Sequence, residues 1–582
     1  MDLSCTLLDA ILEPTFVFRS TQILSAEALL YEDCPWEFSP LNPKNRLCSL
    51  AQLKAPQSWR IDGGTSYGTR FFTVPTIFRS GWAPLRIDTF IPDQTKHPLA
   101  LRSVLQSSHS VCTRGSQIGS LGISHHICNA LDYHFRKDLQ LWDRIQHLPF
   151  GSRLVFENVT SDVKDMTLRI IPAYELEMQL LSVQALKALW ADDVADDAWP
   201  DIIHLDRLVH LRQLHDSITV VRLHGDKEDY VFKSTTSDPK FLYHELKLLL
   251  TIPPHPHIVP PPLYIVVKKS SFGGKLGVCG FILPYYSGGS LRDMVPRMAL
   301  TGSLDLQTKC KWARQIISAL THLHGTTAGF YSDLRPDNIL LKCPRSSTSE
   351  SEDVVLVDFE QRGNWNSWTA PEITSLSYLQ ELKSAASNAA DDNEWLRLLR
   401  YAHLLPRDDF EVRHRKYRNQ GHGSNTIWFS LSPEAKVSAE VYSLGLLLYC
   451  IFEELSNPRN NLATSFDIEP RIEFPEFKLT PHSLRQFVLR CAGQGSSWNA
   501  TGTGGTSLYR QGDKLVLRHK GQNFPRLPPT KLLGEILELV KQHWEAELGK
   551  TEAFLKSLEK EVQLETRPSL QEAMEILDEL DC

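Results

Sequence analysis

The run Tyr331-Ser332-Asp333-Leu334-Arg335-Pro336-Asp337-Asn338 decides the fold of this 582-residue chain. Within six residues it places a carboxylate, a guanidinium and a carboxamide, those of Asp333, Arg335 and Asn338. A carboxylate can orient an incoming hydroxyl, a guanidinium can neutralise phosphate charge, and an amide oxygen can bind Mg²⁺. The run therefore contains groups that phosphoryl transfer needs, and it predicts a reaction centre.

Two other parts of the chain offer the remaining groups for this chemistry. Upstream, Lys233 ends a β-type run, and Glu245 follows twelve residues later in a helix for which Asp238 is the expected N-cap. A lysine can hold the phosphates of a nucleotide, and a carboxylate can hold that lysine. Downstream, Asp358 follows an apolar, strand-like run and offers a second oxygen ligand for Mg²⁺.

Taken in order, these motifs resemble those of the eukaryotic protein kinase superfamily, and the resemblance covers nearly two-thirds of the chain. The catalytic-loop run resembles the family's Asp-Leu-Lys-Pro-x-Asn, and Asp358-Phe359-Glu360 stands where Asp-Phe-Gly is expected. The other segments that carry the resemblance are Tyr230–Lys233, His255–Val259, Leu283–Leu291, Thr369–Glu372, Glu440–Gly445 and Arg567–Ser569. The arginine of the last segment, Arg567, is expected to pair with Glu372.

The resemblance implies an α+β chain with a two-lobed protein-kinase-like fold over residues 199–582. The small lobe would cover 199–285 and the large lobe 286–582, with insertions at about 373–430 and about 493–530. A separate mixed α/β domain of unknown function is expected to precede it over residues 1–198, because the acidic stretch Ala191–Asp197 looks like a boundary.

The same resemblance implies ATP and Mg²⁺ as cofactors and a protein kinase, with the Ser/Thr type favoured, whose protein substrate or docking partner is left open. Asp333 would orient the substrate hydroxyl, and Arg335 would supply positive charge to the γ-phosphate. The implied cofactor-binding residues are Lys233, Glu245, Asn338 and Asp358. Of these four, Asn338 and Asp358 would bind the metal.

Departures from the family pattern leave two other functions open. No glycine occurs in the window 208–221, where the family places a glycine-rich loop over the phosphates, and Glu360 replaces a glycine. Tyr331 and Ser332 replace a His-Arg pair whose arginine receives an activation-loop phosphate, so we expect no control by phosphorylation there. The first alternative is a catalytically weak or inactive pseudokinase scaffold. The second is a small-molecule kinase of the choline or aminoglycoside type, which also reads Asp-Phe-Glu.

Composition narrows the expected partners and compartment. The chain has 62 basic and 69 acidic residues, so a protein built mainly to bind nucleic acid is not expected. Its eleven cysteines include no CxxC pair, and its start has no signal-peptide pattern, which favours an intracellular, cytoplasmic protein. The basic run Arg413–Arg418 is interpreted as a solvated loop, with nuclear import or an acidic partner as the alternative.

Apolar spacing predicts several individual elements. Trp312, Ile316, Leu320 and Leu323 recur at helical spacing and predict one buried helix face. A helical run is also expected over the range 174–190. The longest dense apolar run, Tyr442–Phe452, is too short to span a bilayer, so it predicts a buried helix and no membrane is expected as a partner.

Overall fold

The structure is a computed structural model, and its chain divides into two compact units. We call them the sheet unit, Ala28–Leu250 with Pro261–Tyr285, and the helical unit, Met1–Glu27 with Thr251–Pro260 and Tyr286–Cys582. The residues that the structure describes are 58–65, 70–76, 87–90, 122–158, 162–235, 238–271, 273–342, 352–364, 368–386, 394–405, 426–458, 469, 472, 474–493, 506–511, 514–519, 529–560 and 567–580.

The sheet unit contains a five-stranded and a six-stranded sheet. Its strands are β1 Trp59–Thr65, β2 Arg70–Pro75, β3 Ile87–Phe90, β4 Arg153–Asn158, β5 Thr167–Ile171, β6 Asp201–His204, β7 Leu208–Gln213, β8 Ile218–Leu223, β9 Asp229–Ser234, β10 Tyr264–Lys269 and β11 Leu276–Pro284. Its helices are α1 Gly122–Lys137, α2 Gln140–Gln146, α3 Tyr174–Gln179, α4 Val183–Leu189 and α5 Pro239–Thr251. The sheet orders are β1-β2-β3-β4-β5 and β6-β10-β11-β9-β8-β7. Neighbouring strands are antiparallel except for the parallel pairs β3/β4 and β6/β10.

Two hydrophobic cores lie in the sheet unit. One packs α1 and α2 against the five-stranded sheet, and Trp59 there stacks on Trp142 with ring centroids 5.3 Å apart. The other joins Phe150 and Leu180 to strand residues of the six-stranded sheet such as Phe232. The division predicted between residues 198 and 199 lies inside this unit, because the second core takes residues from both sides of it.

The range 174–190, predicted to be helical, contains two helices, α3 and α4, with a break between them. Ser182 caps α4, and its side chain accepts a hydrogen bond from the backbone of Ala185. The break occurs because the backbone of Leu181 pairs outside the helix, with the hydroxyl of Tyr243 and with the backbone nitrogen of Val278. The residues that bind Leu181 are 62 and 97 positions away, so local spacing gave no sign of the break.

The helical unit contains eight described helices and two hairpins. Its helices are α6 Leu291–Thr301, α7 Leu306–His324, α8 Pro371–Ala386, α9 Thr426–Ser430, α10 Pro433–Glu453, α11 His482–Ala492, α12 Pro529–Glu559 and α13 Leu570–Asp578. Its strands pair as β12 Ile339–Lys342 with β13 Asp353–Leu356, and as β14 Thr506–Gln511 with β15 Lys514–His519. A 3₁₀ turn, Pro336–Asn338, leads directly into β12.

The core of the helical unit confirms two predictions. Trp312, Ile316, Leu320 and Leu323 are all fully buried on α7. The dense apolar run lies in α10, whose residues from Ala439 to Glu453 are buried. Within the described part of the chain, α10 is the one helix long and apolar enough by composition to cross a membrane, a property that the buried core helices of soluble proteins share.

The predicted insertions lie in the helical unit. The first overlaps α8, a 3₁₀ helix at Glu394–Leu404 and α9. Arg400 in this segment binds Glu552 of α12 at 2.7 Å, and Tyr378 of α8 packs on Trp544 of α12. The second insertion contains the hairpin β14–β15. The basic run 413–418 lies outside the described residues.

The fold class is confirmed at the level of α+β. The structure is 50% helical and 19% strand, and its sheets are predominantly antiparallel. Helices dominate one unit and sheets the other, which is the segregation expected of an α+β chain.

Candidate functional site

In the sheet unit, a buried ion pair joins Lys233 to Glu245. Lys233 lies on the inner strand β9, where its register partners are Ile218 of β8 and Phe281 of β11. Its Nζ is 2.5 Å from Oε2 of Glu245, and the two side chains are 4% and 0% exposed. Removing one partner of such a pair leaves an uncompensated buried charge, which costs about 3–5 kcal/mol. The pairing expected from the sequence is therefore present and energetically important.

Helix α5 places Glu245 where it can meet this lysine. Asp238 accepts a hydrogen bond from the backbone nitrogen of Lys240 at 3.0 Å, so the expected cap is present. Leu242, Leu246 and Leu249 form the buried face, and Glu245 lies on the same face. A carboxylate on an apolar helix face is stable only with a charged or hydrogen-bonding partner. The register of α5 thus turns Glu245 toward the sheet rather than toward solvent.

The hairpin that joins β7 to β8 lacks glycine, as the sequence predicted. Its turn is closed by the side chain of Gln213, which donates to the backbone oxygen of His215 at 2.7 Å and accepts from the hydroxyl of Thr219 at 2.9 Å. Strand β1 holds the same hairpin, because Asp62 accepts from the backbone nitrogen of Gln213 at 2.8 Å and Arg60 donates to the backbone oxygen of Leu211 at 2.6 Å. Side chains therefore hold the turn of this hairpin in place. In a glycine-rich loop the backbone forms the turn without them.

In the helical unit, Asp333 is held by the two other polar groups of its own loop. Nε of Arg335 donates to Oδ1 of Asp333 at 2.9 Å. Nδ2 of Asn338 donates to Oδ2 of Asp333 at 2.8 Å and to its backbone oxygen at 3.0 Å. The 3₁₀ turn at Pro336–Asn338 brings the amide back onto the aspartate. The structure thus brings together three of the residues that the sequence predicted for the site.

These surroundings change the acidity of Asp333. Burial raises its pKa to about 6, with Arg335 opposing the shift and the nearby charge of Asp358 adding to it. A carboxyl group with a pKa near 6 can accept and release a proton near neutral pH, which is what a general base requires.

A series of ion pairs connects Asp333 through Arg335 and Asp337 to Arg292, a residue that the sequence reasoning did not identify. Asp337 lies between two guanidinium groups, with Nη1 of Arg335 at 3.3 Å and Nη1 of Arg292 at 2.8 Å. Arg292 is in the first turn of α6, 45 positions before Asp337. No spacing rule links the two positions, so only the fold could reveal this contact.

Asp358 begins a segment with an unusual backbone, residues 358–364, which we call the Asp358 segment. Asp358 has φ +67° and Gln361 has φ +50°, in the left-handed region that residues other than glycine rarely adopt. Phe359 is fully buried and packs on the ring of Tyr331, with centroids 5.2 Å apart. Strained backbone is retained only where its surroundings hold it in place.

Hydrogen bonds to residues 330–334 hold the Asp358 segment. Nε2 of Gln361, a side chain 2% exposed, donates to the backbone oxygen of Phe330 at 2.7 Å. The hydroxyl of Ser332 accepts from the backbone nitrogen of Gly363 at 3.2 Å, and the amide of Asn364 donates to the backbone oxygen of Leu334 at 2.9 Å. Ser332 occupies the position where the kinase family has its phosphate-receiving arginine. Neutral hydrogen bonds thus fix this segment, and the sequence reasoning did not identify Gln361.

Two buried or partly buried carboxylates of the helical unit, Glu440 and Glu372, have charged or hydrogen-bonding partners. Glu440 is fully buried and accepts hydrogen bonds of 2.6 Å from the backbone nitrogen of Tyr331 and from Nε2 of His324. Arg567 binds Glu372 through both of its terminal nitrogens, and the Nη2–Oε2 distance is 2.9 Å. The second pair is the one that the resemblance implied.

Asn338 and Asp358 are the residues that could hold a metal ion. Because Nδ2 of Asn338 is bonded to Asp333, its Oδ1 oxygen is the atom that remains as a ligand. Mg²⁺ prefers carboxylate and amide oxygens, and Asp358 and Asn338 offer one of each. The donor set therefore fits Mg²⁺.

Comparison of the chain with known protein families and with curated protein sequences gives no match. The interpretation of the site therefore depends on the chemistry and geometry of its residues and on the motifs that they form.

Proposed function

We propose that this protein is an ATP- and Mg²⁺-dependent phosphotransferase of the protein-kinase type, with a Ser/Thr hydroxyl of a protein as acceptor. In this proposal the sheet unit supplies the small lobe of a two-lobed kinase-like fold and the helical unit supplies the large lobe. The observation that carries the proposal is the arrangement of Asp333, whose carboxylate is held by Arg335 and Asn338 and has a pKa near 6.

Each residue has a defined role in this proposal. Asp333 orients the acceptor hydroxyl and takes its proton as the acceptor oxygen bonds to the γ-phosphorus, while the bond from that phosphorus to the β,γ-bridging oxygen breaks and ADP leaves. Arg335 places positive charge beside the γ-phosphate, and Lys233, fixed by Glu245, neutralises the α- and β-phosphates. The Mg²⁺ ion, when bound, neutralises phosphate charge and orients the nucleotide. The metal ligands are Asn338 and Asp358.

The first experiment measures nucleotide binding by thermal shift. Wild-type protein is titrated with ATP and Mg²⁺, and the melting temperature is expected to rise by several degrees because a ligand that binds only the folded state stabilises it. Asp358→Asn is expected to lose the Mg²⁺-dependent part of the shift, whereas Asp353→Asn, a control carboxylate of β13 paired with Lys311, is expected to keep it. No shift with millimolar nucleotide would contradict an ATP-dependent enzyme.

A pseudokinase scaffold is the second candidate function, and two observations favour it. Side chains rather than glycines fix the β7–β8 hairpin, which limits how closely its backbone can approach phosphates. Glu360 also adds a carboxylate two residues after Asp358, although Arg362 pairs with it at 2.5 Å. Protein that binds nucleotide without transferring phosphate to any acceptor would support this function.

The small-molecule kinase remains the third candidate because of Glu360. Transfer to amino alcohols or aminoglycosides, with none to protein acceptors, would support it over the protein kinase.

A further inference from the structure

The hydroxyl of Tyr243 ties helix α5 to the segment between α3 and α4. Tyr243 is fully buried. Its hydroxyl accepts a hydrogen bond from the backbone nitrogen of Leu181 at 2.8 Å and donates one to the backbone oxygen of Val278 at 2.9 Å. The backbone nitrogen of Val278 donates in turn to the oxygen of Leu181 at 2.8 Å. A closed ring of three hydrogen bonds thus joins α5, strand β11 and a segment from the N-terminal part of the chain.

A second contact ties α5 to the same N-terminal part. Nζ of Lys247 lies 2.8 Å from Oδ2 of Asp193, and the lysine side chain is only 13% exposed. Tyr243 and Lys247 lie two residues before and two residues after Glu245. The helix is therefore held on both sides of the carboxylate that binds Lys233.

The N-terminal segment is itself anchored to the six-stranded sheet. Glu177 of α3, 5% exposed, binds Nζ of Lys268 at 2.7 Å and the backbone nitrogen of Ser271 at 2.8 Å. Leu180 packs so closely on Gly277 that a Cβ at the glycine would lie 2.7 Å from the Cβ of Leu180. Because the segment is fixed to the strands, its bonds to α5 constrain the helix relative to the sheet.

We propose that residues 174–193 form a built-in brace for α5 and that Tyr243 is a positioning residue for the Lys233–Glu245 ion pair. The pair joins a strand to a helix, so it persists only while the helix keeps its distance and rotation relative to the sheet. The leucines of α5 are buried, and the hydrogen-bond ring fixes the rotation of the helix relative to β11. In this proposal the N-terminal part of the chain holds α5 in position within the sheet unit.

The functional consequence rests on the proposed phosphotransferase activity. The brace keeps the phosphate-binding lysine paired and in place without a partner protein or a modification that moves α5. The folded protein can then bind nucleotide without a further activating step.

Tyr243→Phe tests the brace because it removes the hydroxyl and leaves the ring. Two signals are measured on the full chain without nucleotide: acylation of Lys233 by an amine-reactive reagent, read by mass spectrometry, and amide hydrogen exchange over 239–251. Both rates are expected to rise about fivefold or more, because the variant removes two buried hydrogen bonds and leaves their backbone partners unsatisfied. Glu245→Gln serves as the reference for a fully broken pair.

The matched control is Tyr230→Phe, which removes the 2.7 Å hydrogen bond from a tyrosine of strand β9 to Asp226, a residue that makes no part of the hydrogen-bond ring. It is expected to leave both rates unchanged. Lys247→Gln removes the second contact and is expected to raise both rates by a smaller factor, which keeps the test valid if Tyr243→Phe does not fold.

The brace is wrong if Tyr243→Phe and Lys247→Gln both leave the acylation and exchange rates at wild-type values. Binding of ATP with Mg²⁺ is measured in parallel. If wild-type protein binds no nucleotide but Tyr243→Phe raises the acylation of Lys233, the brace stands and the phosphotransferase fails. If nucleotide binds and the acylation rate does not change, the phosphotransferase stands and the brace fails.

Discussion

At the scale of single residues, the buried charge of Glu440 is met by two specific partners. Glu440, on the core helix α10, has no exposure and satisfies its two oxygens with the backbone of Tyr331 and the ring of His324. An unpaired carboxylate there would carry a large desolvation penalty. Glu440 thus joins α10 both to His324 and to Tyr331, which begins the loop that contains Asp333, so the protonation state of His324 bears on the stability of that loop.

We predict that the pair of His324 and Glu440 makes the free energy of unfolding depend on pH. Burial lowers the pKa of His324, but the hydrogen bond to Glu440 and the attraction of its charge outweigh burial, and the net pKa is raised above the ordinary 6.5. The protonated histidine therefore stabilises the fold fully below the unfolded pKa, and this contribution is lost as pH rises through the folded pKa. Urea unfolding of wild type and His324→Gln should differ more at about pH 6 than at about pH 9. A difference that is constant with pH would show that His324 stays neutral.

At the scale of elements, the Asp358 segment depends on hydrogen bonds rather than on a phosphate. Gln361→Met keeps the length of the side chain but leaves the backbone oxygens of Phe330 and Ala328 without their donor. We expect the free energy of unfolding to fall by about 1–3 kcal/mol. Hydrogen exchange over 358–364 should become faster, while phosphatase treatment should change neither quantity.

The control for that prediction is Gln571→Met, which removes an exposed contact to Glu575 within α13. It should leave the stability and the exchange of the Asp358 segment unchanged. Slow exchange over 358–364 in Gln361→Met would show that other contacts hold the segment.

The packing of α10 on α11 gives a second prediction at this scale. A Cβ at Gly445 would lie 2.4 Å from the Cβ of Cys491, so Gly445→Ala should lower the free energy of unfolding by about 1–3 kcal/mol. Gly549, in α12, has open space around it, and Gly549→Ala should raise stability by roughly 0.5–1 kcal/mol because alanine favours helix. Denaturant unfolding of both variants checks the pair, and equal effects would contradict the close packing at Gly445.

At the scale of the whole molecule, the sequence predicted what depends on local pattern. Motif order and helical spacing were sufficient to predict the Lys233–Glu245 pair, the cap at Asp238 and the pair of Glu372 with Arg567. Each of these rests on a motif or on short-range periodicity. The class of fold followed from the same patterns.

Contacts between distant positions could not be predicted in this way. The break at Leu181 depends on Tyr243 and Val278, and the position of Asp337 depends on Arg292. Gln361 likewise has no motif that marks it, because its partners are backbone oxygens, which any residue supplies. The predicted division between residues 198 and 199 was placed from the acidic composition of the chain there. The structure has a hydrophobic core that takes residues from both sides of this division.

The central claim is that Asp333 directs phosphoryl transfer, and the most direct test is the initial rate of phosphate transfer from labelled ATP with Mg²⁺ to protein acceptors. Asp333→Asn keeps the size of the side chain and removes the proton acceptor, so the account predicts a loss of rate of at least about a hundredfold with nucleotide binding retained. Asp353→Asn should transfer at the wild-type rate. Transfer by Asp333→Asn at the wild-type rate, or no transfer by wild-type protein that binds nucleotide, would contradict the account.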